Sequence, residues 1–185
     1  TPINGYQKKE NNAIYHNETL DFMDSMKGSE LIGFFNNGEI DSLRIHGMAQ
    51  TLYHVFDDSV YQGKNDASGD TIIMSFYNSE LEKLNIINGA RGTYSPDSIS
   101  TDMKSSIKYS ADYITYLLKQ KKSDFNGNAN IEQENTSLSS GFIEINWQNN
   151  MLNAQPFSET LSFQEPNFPV ILEKGKDPMT GDEMI

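Results

Sequence analysis

Three histidines, His16, His46 and His54, are the side chains of this sequence best suited to bind a metal ion. His46 and His54 fall on one face of a predicted strand, which separates them by at least ~26 Å if the strand is straight. They could share a metal only if the chain folded back on itself, and His16 is isolated. The sequence contains no cysteine, which excludes thiolate ligands, disulfides and a cysteine nucleophile. We therefore predict no metal site and no cofactor.

The acidic residues form neither a calcium loop nor a catalytic pair. Residues 124–128 superficially resemble the start of a calcium loop, but the twelfth position is Asn135 rather than glutamate. Neighbours such as Asp182 and Glu183 point to opposite faces if they lie on a strand. A glycoside hydrolase would need two carboxylates about 5–9.5 Å apart, and no spacing indicates such a pair. An enzyme is therefore the least favoured interpretation, and no catalytic residue is predicted.

The net charge of −12 argues against binding to nucleic acid or anionic membranes, because both require clustered lysine and arginine. The lysines that do cluster, at Lys119, Lys121 and Lys122, are interpreted as a solvated turn. No apolar run approaches the ~18 residues that span a bilayer. The chain opens at Thr1 and stops at Ile185 within a promising segment, so we expect it to be a piece of a longer protein.

The apolar faces of the predicted strands are the remaining functional candidates. Burying one methylene contributes about 0.8 kcal/mol, so ten methylenes of a lipid chain would contribute roughly 8 kcal/mol before ordering costs. An apolar groove could thus hold a lipid without any special residue, and the same faces could equally close into an ordinary core. The predicted lining residues are Leu43, Ile45, Tyr53, Val55, Ile72, Met74, Phe76, Leu84, Ile86, Ile131, Ile143, Ile145 and Trp147.

Residues 43–55 form the element around which these faces are arranged. Every second residue is apolar or small and the intervening residues are mostly polar, which predicts a strand with one inward face. Gly47 and Ala49 in its middle indicate a bulge or bend where one long strand turns a corner. Asn37-Gly38 lies between two apolar runs just before this strand and predicts a hairpin.

The rest of the chain is predicted to alternate between short strands and polar connectors. Residues 81–87 suit a strand or a short helix, and residues 103–118 fit both a helix and a strand. Residues 1–12 are expected to be a loose lead-in, residues 57–70 a loop, and residues 94–106 a connector between two halves. Further strands are predicted at residues 13–16, 20–26, 31–35, 71–77, 125–133, 141–147 and 151–154.

A glycine followed at once or one residue later by alanine recurs within apolar stretches, at residues 47–49, 89–90 and 127–129. The glycines are 42 and 38 residues apart. Each marks a small-residue corner that is followed by strands and turns. This weak internal repeat of β-hairpin units indicates stacked sheet layers.

The second half of the chain resembles the repeat of the OstA/LptA family of lipopolysaccharide-transport proteins, which also supplies the periplasmic N-terminal domain of LptD. The family pattern is a strand, a turn, a Gly-Asn-Ala strand and a closing Leu-x-Ala. This sequence departs from it at Ser140-Gly141, where the family usually has Ala-Asp. The matching residues are Ala111-Asp112-Tyr113-Ile114, Gly127-Asn128-Ala129-Asn130-Ile131, Leu138-Ser139-Ser140-Gly141-Phe142-Ile143 and Leu152-Asn153-Ala154.

This resemblance implies an all-β fold, an open β-jellyroll or β-taco of stacked antiparallel hairpin repeats without substantial helix. It implies that residues 111–118 form a strand and residues 119–122 a hairpin tip. It also implies a periplasmic or outer-membrane-associated module that holds lipid A acyl chains of lipopolysaccharide in its groove, as part of a bridge to the outer membrane. Other Lpt-type β-jellyroll modules would stack on its edge strands, and no nucleic acid is expected as a partner. The alternative is a non-catalytic binding or structural β-domain of a secreted or surface protein, with a closed core.

The resemblance covers roughly residues 38–185 and is best over residues 107–154, and we expect the chain to form a single β-domain over residues 1–185. Its parts are a lead-in (1–12), a first repeat region (13–94), a second repeat region (107–154) and a tail (155–185) that begins a further repeat. The tail contains four prolines, which exclude it from pairing extensively as a central strand.

Overall fold

Long antiparallel strands dominate the chain. The computed structural model describes residues 3–15, 18–57, 60–78, 80–101, 103–156 and 168–185, with side chains from residue 24 onward apart from that of residue 57. The strands are β1 (Ile3–Tyr15), β2 (Glu18–Gly28), β3 (Glu30–Asn36), β4 (Glu39–Asp57), β5 (Val60–Tyr77), β6 (Glu80–Pro96), β7 (Ile107–Leu117), β8 (Lys122–Gln133), β9 (Thr136–Asn146), β10 (Met151–Gln155), β11 (Val170–Glu173) and β12 (Met179–Thr180). No helix occurs among the described residues, so none of sufficient length and apolarity to cross a membrane is found there.

The twelve strands named above belong to one antiparallel sheet, ten of them in the order β1-β2-β4-β5-β6-β7-β8-β9-β11-β12, with β3 and β10 as branches. The sheet forks at both ends. The first half of β4 pairs with β3 and the second half with β2, while β9 pairs with β11 near its start and with β10 near its end. One end of each long strand therefore belongs to a different layer from the other end.

A line of bends, which we call the crease, crosses the sheet from β4 to β9. The register shifts at this level in every neighbouring strand pair. In β4, β6 and β8 two residues with positive φ oppose a single residue of the next strand, which is the arrangement of a β-bulge. These two-residue bulges are Gly47-Met48, Asn88-Gly89 and Gly127-Asn128. The predicted glycine–alanine corners are thus confirmed as bends, and each precedes a buried alanine.

The crease divides the sheet into two leaves that fold onto each other. The aliphatic leaf comprises β3, β10 and strand segments 39–46, 71–77, 80–87, 113–117, 122–126 and 142–146. The polar leaf comprises β1, β2, β11, β12 and strand segments 49–57, 60–69, 90–96, 107–111, 129–133 and 136–140. The ring of Tyr109 on the polar leaf packs edge-on against Tyr116 and Phe125 on the aliphatic leaf, with centroids 6.4 and 5.6 Å apart. The core therefore lies between the leaves.

The two inner faces differ in chemistry. The aliphatic leaf buries large side chains, including Ile45, Ile72, Leu84, Ile86, Ile114, Phe125 and Ile143. The polar leaf buries small or polar ones, including Ala49, Thr51, Asn65, Ala67, Ala90 and Ala129. Small residues next to the crease allow the leaves to approach closely, since a large side chain there would hold them apart.

The tail closes one edge of the folded sheet. After β12 on the polar leaf, Met184 exchanges two backbone hydrogen bonds of 2.7 and 2.9 Å with Ala154 of β10 on the aliphatic leaf. The hydroxyl of Ser140 also donates to the backbone oxygen of Gln155 at 2.8 Å. Over its described residues from 168 to 185, the tail pairs through short segments only, as its prolines predict.

Several predictions of local structure are confirmed. Asn37 and Gly38 both have positive φ (51° and 85°) and join β3 to β4 as the expected hairpin. Residues 81–87 and 107–117, where a helix was the alternative, form strands in β6 and β7. Helical spacing in the second segment is overridden because both edges of β7 pair with neighbouring strands.

Two segments expected to be irregular are strands instead. Residues 60–70, expected to be a loop, form the first part of β5, where Gly63, Asn65 and Ala67 alternate with exposed Lys64 and Asp66. The period of two is present, but its inward residues are small or polar rather than apolar.

The expected lead-in at residues 1–12 instead supplies most of β1, whose hydrogen bonds come from its antiparallel partner β2. The expected connector is shorter than predicted, because residues 94–96 belong to β6. It does not separate two halves, since β6 and β7 pair directly along the sheet.

Candidate functional site

A cavity of about 430 Å³, which we call the slot, lies between the leaves at the end away from the crease. Its polar-leaf wall includes Tyr53, Asn65, Ile107 and Ile131, and its aliphatic-leaf wall includes Tyr116, Leu117, Phe125 and Ile145. Exposed residues such as Leu118, Lys121, Trp147 and Asn150 also line it, so the slot opens at the surface. Ligand sites of about 300–1,000 Å³ with mostly apolar walls are typical for small molecules and cofactors.

The structure divides the thirteen predicted lining residues between the slot and the core. Five line the slot: Tyr53, Val55, Ile131, Ile145 and Trp147. Seven are buried in the core: Leu43, Ile45, Ile72, Met74, Leu84, Ile86 and Ile143. Phe76 is half-buried and packs against that core. Contact with a lipid stays a prediction. It is expected most directly for the five residues that line the slot.

Sequence reasoning missed the residues that β7 and its flanks contribute to the slot. Ile107, Tyr109 and Tyr116 line it from β7, and Met103 reaches it from the preceding connector. The signal was available in the alternation of Ile107, Tyr109 and Ala111 along the strand. Helical spacing in the same stretch obscured that alternation.

A hydrogen-bonded cluster of phenols and one amide interrupts the apolar lining. The Asn65 side-chain amide donates to the Tyr53 hydroxyl at 2.9 Å, and the Tyr109 hydroxyl donates to the Asn65 carbonyl oxygen at 2.7 Å. Burial raises the pKa of Tyr53 to about 12, partly offset by the hydrogen bond from Asn65. Burial likewise raises the pKa of Tyr109 and that of Tyr116. All three phenols are therefore neutral at physiological pH and able to donate.

Trp147 and two lysines form the rim of the slot on the aliphatic leaf. The Trp147 indole N–H donates to the Ser123 hydroxyl at 2.9 Å, and its backbone N–H donates to the Lys121 carbonyl at 2.8 Å. The Lys122 ammonium lies 3.1 Å from the Glu144 carboxylate. These contacts hold an amphipathic ring and cationic groups beside the opening.

The two histidines of β4 are engaged with separate partners. The Nδ1 atom of His46 lies 2.9 Å from the Thr71 hydroxyl, and that of His54 lies 2.9 Å from the Asp24 carboxylate. His16 lies outside the described residues. Within the described part of the chain, no three His, Asp or Glu side chains are grouped as metal ligands would be.

A second cavity of about 770 Å³ lies between the tail and strands β8 and β9. Its lining combines amide and hydroxyl groups with apolar surface, and Asp182 contributes a carboxylate. Its lining residues are Asn128, Ala129, Asn130, Ser139, Ser140, Phe168, Val170, Thr180, Gly181 and Asp182.

Asp124 lies on the outer face of β8 beside the rim, directly opposite Glu144 in the sheet. Burial and the charge of Glu144 raise the pKa of Asp124, and Lys122 and Lys83 offset this only partly. One of its carboxylate oxygens is buried without a hydrogen-bond partner. Because the folded-state pKa is raised, this carboxyl favours folding when protonated. That contribution is lost as the pH rises through the folded-state pKa.

We expect Asp124→Asn to raise the melting temperature at pH 7 by about 2 °C, since solvent screening limits the gain to about 1 kcal/mol or less. The difference from the parent protein should shrink as the pH falls through the raised pKa of Asp124, since the parent carboxyl then becomes protonated. Thermal unfolding followed by circular dichroism at pH 7 and over a series of lower pH values would measure it, with exposed Asp41→Asn as the control. A lower melting temperature for Asp124→Asn at pH 7 would show that the attraction of Lys122 and Lys83 for the Asp124 carboxylate outweighs the cost of its burial.

This geometry defines a class of fold: an open antiparallel sheet, creased and folded into a β-jellyroll, as the family resemblance implies. The crystal structure of LptH from Pseudomonas aeruginosa, the LptA homologous periplasmic component of the conserved lipopolysaccharide transport device, is similar with a TM-score of 0.62. The alignment covers 82% of this chain and 94% of that chain at 13% sequence identity, a level that shows the likeness of fold. No protein-family model and no curated protein sequence matches the chain.

Proposed function

We propose that this chain is a periplasmic lipopolysaccharide-transport module that holds lipid acyl chains in the slot and forms part of a bridge to the outer membrane. The observation that carries the proposal is the open slot between two leaves of a LptA-like sheet. Its walls are apolar, and the fold is that of a component of a lipopolysaccharide transport device.

The charges at the rim support the same proposal. The chain carries a net charge of −12, which disfavours anionic ligands in general. Lys121 and Lys122 nevertheless lie where the slot opens. An amphiphile could place its apolar chains between the leaves and leave an anionic head group in solvent near these ammonium groups. Similar modules would pair with edge strands such as β3, which among the described residues pairs with β4 on one side only.

We expect a photoreactive benzoylphenylalanine at Trp147 or Leu117 to crosslink to lipopolysaccharide when the purified chain is irradiated with it. Both residues line the slot, and Trp147 is 41% exposed at its rim. The matched control is the same substitution at Tyr77, an exposed aromatic residue outside the slot lining. Adducts would be detected as shifted bands that react with antibody to lipopolysaccharide.

The pattern of adducts decides between the two functions considered for this fold. Adducts at Trp147 and Leu117 but not at Tyr77 support the transport module. Equal labelling at all three positions means non-specific contact. No adduct at any position contradicts the proposal and favours a binding or structural β-domain with a closed core.

A further inference from the structure

The slot is long and narrow. Its polar-leaf wall crosses five neighbouring strands, from Val55 on β4 to Ile131 on β8. Neighbouring strands lie about 4.8 Å apart, so this wall is about 19 Å long. Spread over that length, the slot volume of about 430 Å³ gives a mean cross-section of roughly 23 Å². That cross-section is close to the thickness of one extended hydrocarbon chain.

The leaves touch on the crease side of the slot, which keeps it narrow. The Tyr109 ring packs edge-on against the rings of Tyr116 and Phe125 across the gap between the leaves. Ala111 and Ile114, which lie closer to the crease on β7, are buried and do not line the slot. The slot therefore cannot deepen toward the crease unless these packed rings separate.

The two ends of the slot differ in chemistry. Lys121, Lys122 and Trp147 line it at the end formed by β8 and β9, beside its opening. Val55 and Phe56 line it at the β4 end. A fatty acid would thus lie with its carboxylate near the two lysines and its hydrocarbon chain running across the strands toward β4.

We propose that the slot takes a single acyl chain of about 14 carbons, which lies across the strands with its end beside Val55. A methylene group fills about the volume of a water molecule, roughly 30 Å³, so the slot holds about 14 of them. An extended chain of about 14 carbons spans about 17 Å at roughly 1.25 Å for each carbon, which matches the length of the wall. This inference rests on the proposed function and narrows it, because the other chains of a multi-chain lipid would stay outside the slot.

The test measures how affinity depends on chain length. Saturated fatty acids from decanoate to eicosanoate, each below the concentration at which it forms micelles, displace a fluorescent fatty acid from the purified chain. Native mass spectrometry counts the fatty acids bound to each protein. The variant Val55→Trp fills the β4 end of the slot. The control Val60→Trp makes the same change at an exposed position of β5 outside the slot lining.

We expect one fatty acid to bind to each protein. In the parent and in Val60→Trp, affinity should rise about fourfold with each added methylene up to about 14 carbons and then level off. In Val55→Trp it should level off about three carbons earlier, because the indole fills the space of roughly three methylene groups. Affinity for decanoate should be the same in all three proteins, which separates a shorter slot from a damaged fold.

A second variant tests the same end in the opposite direction, should Val55→Trp fail to fold. Phe56→Ala enlarges the β4 end and should move the limit to chains about three carbons longer. A limit that stays at the parent length in both variants would overturn the placement of the chain end beside Val55. Affinity that keeps rising to eicosanoate in the parent, or more than one fatty acid per protein, would overturn the single-chain limit and leave the transport function standing. No binding of any fatty acid would overturn both.

Discussion

Gly92→Ala should be among the most damaging single substitutions in the polar leaf. Gly92 lies in β6 opposite Ala67 on one side and Tyr109 on the other. A β-carbon at this position would overlap the hydroxyl end of Tyr109 and lie 2.6 Å from the backbone oxygen of Asp66. Tyr109 cannot move aside freely, because its hydroxyl donates a hydrogen bond to the Asn65 side-chain oxygen and Phe125 packs against its ring.

The expected loss for Gly92→Ala is about 3 kcal/mol, typical of severe overpacking in a filled core. In a chain of this size that loss lowers the melting temperature by roughly 6–12 °C, measurable by circular dichroism. The control is Gly89→Asn: Gly89 has a φ of +61° with open space around its β-carbon position, and asparagine tolerates that conformation. Equal melting temperatures for parent and Gly92→Ala would show that the leaves are not closely packed here.

Phe125→Ala should destabilise the fold by about 3–5 kcal/mol, because it removes a large side chain from the contact between the leaves. Phe125 is 2% exposed and its ring meets that of Tyr109 at an interplanar angle of 67°. The melting temperature should fall by roughly 6–20 °C. Urea unfolding gives the free energy directly and would also show whether the transition stays cooperative.

The matched control for this prediction is Phe35→Ala. Phe35 lies in β3 and is 70% exposed, so the same truncation there should change the free energy of unfolding by about 0.5 kcal/mol or less. Similar losses for both variants would contradict the assignment of Phe125 to the core between the leaves.

The sequence predicts the aliphatic leaf and the crease well. Apolar residues at every second position, such as Ile72, Met74 and Leu84, predict a buried face, and the structure buries all three side chains. The bulges are visible because a left-handed pair of residues in mid-strand favours glycine or asparagine, and two of the three pairs contain both. Local chemistry and backbone geometry agree at these positions.

The polar leaf is much harder to predict. Its inward positions in β5 are Gly63, Asn65 and Ala67, which no hydropathy pattern separates from a loop. They are buried because the opposite leaf supplies the large side chains. This match between small side chains on one leaf and large side chains on the other exists only when the two leaves are folded together. The sequence of a single strand therefore does not show it.

The slot could be predicted only in part for a related reason. Ile45 and Ile145 look equivalent in sequence, each lying on the inward side of an alternating strand. Ile145 lines the slot, whereas Ile45 is fully buried in the core. The difference depends on where each residue lies along the folded sheet relative to the crease. Predicting that position would require knowing the register of every strand.

The crease has a mechanical consequence. Within each leaf the register shifts are isolated, as at Val55/Phe56 and Ser75/Phe76, whereas at the crease the register shifts in every strand pair from β4 to β9. Each leaf should therefore resist bending more strongly than the crease that joins the two leaves. A change in the angle between them would cost little backbone hydrogen bonding beyond the Met184–Ala154 pair that joins the leaves at the tail edge.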